Sequence, residues 1–156
     1  MPRLGHTDTK TVQDMIDATL PWNIQITPAF TPSRSQGFST ISINASYIFC
    51  HSRNASGFIG DYMAWDLGIA KGTWSFELLF NSEVNRGILT LQIDQVEKAT
   101  IDTYSATPTY NLRQTITGII IPISKKIELK LIVNSKNPSS SAYYLAFLGA
   151  KLTRTA

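Results

Sequence analysis

The stretch WSFELLF, residues 74–80, has the clearest structural pattern in this sequence. Its apolar residues recur at every second position, at Trp74, Phe76, Leu78 and Phe80. Side chains two positions apart share one face of a β-strand, whereas a helical face would need spacings of three and four. The stretch therefore predicts a strand with one face in a hydrophobic core, and we expect Trp74 to point inward.

The same alternation recurs along the chain after residue 21. Further strands are predicted at residues 22–27, 38–43, 47–50, 89–94, 119–121, 127–134 and 144–152, with Leu131 on a core face. Turn-forming residues separate these strands, and Gly72 and Gly87 stand where a chain entering a strand is expected to need a positive φ. Short alternating strands of this kind are typical of sandwiches and barrels. The sequence thus predicts an all-β, antiparallel jelly-roll β-sandwich over residues 22–156.

A short amphipathic helix is predicted ahead of the sandwich, at residues 9–20. Val12, Met15, Ile16 and Leu20 follow helical spacing, and Pro21 cannot continue a helix. The chain therefore divides into an N-terminal docking segment, residues 1–21, and the domain at 22–156. A helix this short is marginal in water by itself, so its apolar stripe requires burial against another protein or against its own sandwich.

Charge and composition narrow the classes of partner. The net charge is +3, but the basic residues are scattered and only Lys125 and Lys126 are adjacent, so no nucleic-acid partner is expected. The apolar runs are far shorter than the roughly 20 residues of a membrane span, so no membrane insertion is expected. The start of the chain has no apolar signal segment, and the lone Cys50 has no internal disulfide partner. These features favour assembly in a reducing cytoplasm.

Residues that could support catalysis are few. Cys50 and His51 are neighbours, but neighbouring side chains of one strand point to opposite faces and cannot form a dyad. Clusters with the spacing of metal ligands are absent from the sequence. We therefore predict no catalytic residues, no metal, no cofactor and no enzymatic activity. One alternative stays open: a hydrolase whose acidic pair the fold assembles from Asp61, Asp66, Glu77, Asp94 and Asp102.

Four aromatic residues are candidates for contacting a ligand. Tyr62, Trp65, Tyr104 and Tyr110 fall at or near predicted strand ends and loops, where a ring can stay exposed and stack on a sugar. The alternative is that these rings are partly buried and close the ends of the sandwich.

Four segments together resemble a known family of modules. They are residues 31–38 (TPSRSQGF), 64–79, 85–94 (NRGILTLQID) with 100–104 (TIDTY), and 136–144 (KNPSSSAYY). Their order and spacing resemble the jelly-roll modules in structural proteins of tailed bacteriophages: tail fibres, appendages and capsid-decoration proteins. The chain departs from the usual pattern where Gln95 follows Asp94 in place of glycine, and at Ala142.

The resemblance implies a non-enzymatic virion protein, homotrimeric and assembled in the host cytoplasm. The leading hypothesis is a small tail-fibre or tail-appendage protein that docks on other virion proteins through its N-terminal segment and binds a host cell-surface glycan. A capsid-decoration protein that stabilises the head is one alternative. A carbohydrate-binding module is the other.

Overall fold

The chain forms two antiparallel β-sheets. The computed structural model describes residues 20, 23–27, 32–44, 47–52 and 58–156, and within 38–52 it describes the backbone alone. The described strands are β1 (Asn23–Ile26), β2 (Arg34–Gln36), β3 (Phe38–Asn44), β4 (Tyr47–Ser52), β5 (Tyr62–Ile69), β6 (Gly72–Ser82), β7 (Gly87–Ile93), β8 (Val96–Asp102), β9 (Thr109–Ile121), β10 (Lys125–Lys136) and β11 (Ala146–Arg154).

Consecutive strands mostly lie in different sheets, except that β3 pairs with β4 and β7 pairs with β8. One sheet has six strands in the order β3-β4-β11-β6-β9, with β1 also paired to β11, and the other has five in the order β2-β5-β10-β7-β8. This arrangement confirms the all-β class and agrees with a jelly-roll sandwich. The described residues contain no helix, and the predicted helix at residues 9–20 lies outside them apart from Leu20.

The inner faces of the two sheets form one hydrophobic core. β5, β6, β7, β10 and β11 supply most of its side chains. Trp74 and Leu131 are both fully buried, which confirms the strand register inferred from the alternating pattern. The indole Nε1 of Trp74 donates a hydrogen bond to the carbonyl of Ala70 at 3.0 Å, so the one polar atom of this core ring has a partner.

Several strands were not predicted, because their sequences lack alternation. In β5 three consecutive residues, Met63, Ala64 and Trp65, are all buried, so apolar residues occupy both faces. In β8 only Ile101 is fully buried, and the first ten residues of β9 include no fully buried side chain. Such edge strands carry little of the hydrophobic signal from which a strand is predicted.

The two glycines singled out in the sequence serve different purposes. Gly72 has φ of +142°, as predicted. Gly87 was expected to have a positive φ and does not. It is instead a site of close approach, because a Cβ there would lie 3.0 Å from Cγ1 of Val133 and 3.1 Å from the carbonyl oxygen of Tyr143.

Candidate functional site

Three connections between strands meet at one end of the sandwich, called here the loop end. They are residues 83–86 between β6 and β7, 103–108 between β8 and β9, and 137–145 between β10 and β11. Backbone hydrogen bonds tie them together: Ser105 N to Glu83 O at 3.2 Å, Ser141 N to Val84 O at 2.9 Å, and Tyr144 N to Asn85 O at 3.0 Å. The connection at 83–86 is thus the centre to which the other two are attached.

Buried hydroxyl groups fix the loop end further. The Thr103 hydroxyl donates to the carbonyl of Gly87 at 2.6 Å and is fully buried. The Ser140 hydroxyl lies 2.7 Å from the carbonyl of Arg86 and 2.8 Å from that of Ala142. The Thr103 and Ser140 hydroxyls thus bind main-chain carbonyls at the start of β7, which helps to hold the loops in one arrangement.

Arg86 is a buried cation at the centre of the loop end. It is 3% exposed, and its Nη2 forms an ion pair with Glu83 at 2.9 Å. Its guanidinium also lies over the ring of Tyr144, 4.5 Å from the centroid. Burial lowers the pKa of Arg86, while the charge of Glu83 and the phenol of Tyr110 act in the opposite direction. The Nε and Nη1 atoms of Arg86 have no hydrogen-bond partner among the described residues.

Tyr110 presents an open ring beside this buried charge. It is 59% exposed, the most exposed of the tyrosines whose side chains are described. The next residue, Asn111, has φ of +56°, and its N–H bonds to the Asn81 side-chain oxygen at 2.9 Å. The backbone that carries the Tyr110 ring is therefore fixed.

The other predicted aromatics lie in different places. Tyr104 is half-buried at the loop end, where its backbone pairs with Glu83. Tyr62 is half-buried, with Lys130 Nζ 4.3 Å from its ring centroid, and it begins β5. Trp65 is 1% exposed and packs 5.7 Å from the Phe147 ring, so it belongs to the core and offers no surface for stacking. The loop end thus brings Tyr104 and Tyr110 together, with Tyr144, which the sequence analysis did not select.

Of the predicted docking stripe, Val12, Met15 and Ile16 lie outside the described residues. Leu20 is described, and it packs against the hydrophobic core of its own sandwich. Its Cδ2 lies 3.5 Å from the position a Cβ would take on Gly68 of β5. At this one residue the apolar surface is partly buried within the chain itself.

Charged residues link several strands of the five-stranded sheet. Arg34 of β2 bonds Asp66 of β5 at 2.9 Å and also Glu128 of β10. The hydrogen bond from Arg34 holds the pKa of Asp66 below its usual value. Lys125 pairs with Asp94 at the hairpin between β7 and β8. These groups bind one another, which is the behaviour of a structural network.

A groove of about 240 Å³ opens where β11 changes partner from β4 to β1. Leu79 and Leu148 give it an aliphatic lining, and Glu77 and Arg113, paired at 2.7 Å, line it together with Lys151. Its described lining residues include no aromatic ring.

Each of the five acidic residues considered as catalytic candidates is buried or bound to another group. Asp66, Asp94 and Glu77 are bound to separate basic partners, while Asp102 bonds the Asn137 side chain at 2.7 Å and Asp61 is buried. In the part of the chain that the structure describes, no group of three or more His, Cys, Asp or Glu residues could hold a metal ion. No helix among the described residues is long and apolar enough to cross a membrane.

The sequence matches no model of a protein family, and no curated protein is similar to it. Solved structures share its fold. The CBM36-1 domain of a multidomain xylanase from the hindgut metagenome of Trinervitermes trinervoides has a TM-score of 0.62 at 17% identity, over 86% of this chain and 98% of that one. A family 6 carbohydrate-binding module from Clostridium cellulolyticum, in complex with xylose, has a TM-score of 0.56 at 15% identity, over 85% and 97%.

A third match is part of a larger enzyme. Paenibacillus xanthan lyase has a TM-score of 0.64 at 19% identity, over 88% of this chain and 13% of that one. At these identities the likeness concerns the fold alone, a jelly-roll β-sandwich that is also the fold of carbohydrate-binding modules.

Proposed function

We propose that this domain is a non-catalytic carbohydrate-binding module whose ligand site is the loop end. The observation that carries the proposal is the exposed ring of Tyr110, held on a fixed backbone beside the buried Arg86 and among three interlocked loops. The fold shared with carbohydrate-binding modules supports the proposal. Among the hypotheses drawn from the sequence, it favours the carbohydrate-binding alternative.

The chemistry of the loop end suits a sugar. A sugar ring has an apolar C–H face, which packs on an aromatic ring, and an edge of hydroxyl groups, which need hydrogen-bond partners. Tyr110 supplies the ring, and Ser105, Ser139 and Ser141 supply polar groups in the adjoining loops. Because backbone bonds already fix these loops, little ordering entropy would be lost on binding.

Binding without catalysis agrees with the interactions that the candidate carboxylates make. General acid–base hydrolysis of a glycoside needs two carboxyl groups that face each other across the bond to be cleaved. The acidic residues considered as candidates are instead engaged with other groups on separate strands. We propose that the domain holds a glycan and leaves it intact.

The virion hypothesis stays a prediction. Jelly-roll modules of bacteriophage structural proteins and carbohydrate-binding modules have a common architecture, so a tail-fibre, appendage or capsid-decoration role does not follow from the fold. The same holds for the homotrimer, the virion partners and the location in a virion. Glycan binding at the loop end is compatible with a host-attachment role and does not require it.

Affinity electrophoresis through gels containing xylan, mannan or laminarin, followed by a glycan array, tests the proposal. We expect retardation on at least one glycan, and a loss of about tenfold or more in affinity for Tyr110→Ala, since stacking on one ring contributes about 1–3 kcal/mol. Tyr62→Ala is the matched control, because it removes the same ring from β5, where it lies beside Lys130 and belongs to none of the three connections of the loop end, and it is expected to leave binding unchanged.

Three results would count against the proposal. Loss of binding in Tyr62→Ala with retention in Tyr110→Ala would move the site to the five-stranded sheet. Absence of binding to every glycan of the array would remove the carbohydrate function. Release of reducing sugar from a bound polysaccharide would replace binding by hydrolysis.

A further inference from the structure

The outer edge of β9 has the features of an interface. β9 spans Thr109–Ile121 and lies at the margin of the six-stranded sheet, where β6 is its only partner strand among the described residues. An edge strand exposes a row of backbone N–H and C=O groups to which another strand can pair.

The central part of this edge is regular. Register shifts against β6 fall between Trp74 and Phe76 and between Phe80 and Ser82, and the residues between them pair one to one with residues 112–116 of β9. Positive φ values at Asn111 (+56°) and Gly118 (+73°) bound the same segment. The regular segment is therefore residues 112–117, about 20 Å long, at roughly 3.3 Å per residue.

The side chains of this segment do little to prevent pairing. Natural edges are commonly protected by proline, by several charges or by bulges. Residues 112–117, LRQTIT, contain no proline and a single charge, that of Arg113. The guanidinium of Arg113 is bound to Glu77 of β6 at 2.7 Å. Leu112 and Ile116 are partly exposed at the margin of the core against which they pack.

We propose that the β9 edge pairs with the β9 edge of a second copy of this chain, antiparallel, about a two-fold axis through Gln114. In an antiparallel pair, two residues that face each other either both direct their backbone N–H and C=O groups toward the partner strand or both direct them away from it, and the two kinds of pair alternate along the strands. A two-fold axis therefore lies midway between the two copies of one residue, and it cannot set a residue opposite its neighbour in the sequence.

The side chains select Gln114 among the possible centres. A centre at Arg113 would place two arginines opposite each other, and like charges there are destabilising. A centre at Thr115 would place Ile116 opposite Gln114. A centre at Gln114 places Leu112 of each copy opposite Ile116 of the other, so the two partly exposed apolar side chains cover each other twice.

The resulting assembly is a symmetric dimer in which the two six-stranded sheets become continuous. It differs from the homotrimer implied by the family resemblance. Six residues of strand pairing bury a small area, so we expect a weak, concentration-dependent dimer. The proposal is independent of the carbohydrate function, because the axis lies in the middle of β9 and Tyr110 lies beyond the bulge at Asn111.

Disulfide cross-linking tests the register directly. Gln114→Cys is made in a Cys50→Ser background, which removes the chain's single native thiol. Residues facing each other across a strand pair have Cα atoms about 4.5–5.5 Å apart, within disulfide range. Thr115→Cys is the matched control, since its copies would lie about 8 Å apart on the diagonal. We expect covalent dimer from Gln114→Cys at least ten times faster than from Thr115→Cys, and equal rates would overturn the proposed axis.

Sedimentation equilibrium up to about 1 mM protein tests association itself. We expect a monomer–dimer equilibrium that Gln114→Lys weakens at least tenfold by setting two ammonium groups opposite each other. Thr100→Lys adds the same charge to β8, the edge of the other sheet, and is expected to have no effect. A protein that stays monomeric over this range, or forms trimers, overturns the proposal. Slow hydrogen exchange along both sides of β9 in a monomer would show that another part of the chain covers the edge.

Discussion

Gln95 occupies a backbone conformation in which glycine is favoured. With Asp94 it forms the two-residue turn between β7 and β8, and the φ values are +50° at Asp94 and +66° at Gln95. Positive φ at both positions is the type I′ geometry of tight hairpins, for which glycine is preferred at the second position. The turn therefore keeps its geometry although the expected glycine is missing from the sequence.

The strain at Gln95 leads to a stabilising substitution. Gln95→Gly is expected to raise the free energy of unfolding by about 0.5–1 kcal/mol, because relief of the left-handed strain exceeds the entropy that glycine adds to the unfolded chain. Gln92→Gly, within β7, is the control and should lower stability by a similar amount. Urea denaturation measures both, and destabilisation by Gln95→Gly would contradict the conformation assigned to this turn.

Trp74 is the residue whose loss the core should tolerate least. Its side chain is fully buried and its indole nitrogen is hydrogen-bonded within the core. Trp74→Ala is expected to cost about 3–5 kcal/mol, and Leu131→Ala about 2–5 kcal/mol, as large cavities form. Ile120→Ala, at a residue 69% exposed, should change stability by less than about 0.5 kcal/mol. Similar unfolding midpoints for Trp74→Ala and Ile120→Ala would refute this account of the core.

At the scale of elements, a single arginine ties β2 to the rest of its sheet. β2 has only three residues, all exposed, so it gains little from hydrophobic burial. Arg34 compensates by bonding Asp66 of β5 and Glu128 of β10. A short edge strand held by charges is also a poor template for unwanted pairing, in contrast to the long edge of β9.

This ion pair makes part of the stability depend on pH. The hydrogen bond from Arg34 lowers the pKa of folded Asp66 below the value of about 3.9 in an unfolded chain. Its contribution is therefore present above that pH and is lost as the pH falls through the lower folded value. We expect wild-type protein to lose more stability than Asp66→Asn between about pH 6 and about pH 2. Glu97→Gln, at an exposed carboxyl of β8, is the control, and a wild-type-like acid profile in Asp66→Asn would contradict the role of the pair.

At the scale of the whole molecule, the described strands all lie within residues 23–154. A chain lacking residues 1–19 is therefore expected to fold, with β-type circular dichroism and a melting temperature within a few degrees of wild type. Leu20 should be retained, because it packs on the core. Leu20→Ala in the shortened chain is expected to cost about 1–2 kcal/mol, and unfolding of the shortened chain itself would refute the boundary.

The alternating pattern of the amino-acid sequence is enough to predict the class of fold and much of the core. The alternation at residues 74–80 and 127–134 identified two central strands with their inward faces, because burial on one side imposes a period of two. It could not identify β5, which is buried on both faces, or β8 and most of β9, which have few buried residues. Burial of the side chains in those strands depends on where each strand lies in the sandwich, and the local sequence pattern carries no information about that position.

Which of the candidate residues lie close together depends on the tertiary structure. The sequence offered no ground for ranking the four candidate aromatic residues. In the folded chain Trp65 lies in the core, whereas Tyr104 and Tyr110 both lie at the loop end. The fold also buries Arg86 there, although an arginine in a turn-like segment is ordinarily solvated. The physical reason is that the loop end joins connections about 20 to 60 residues apart in the chain, whose proximity depends on sheet order and on hydrogen bonds between loops.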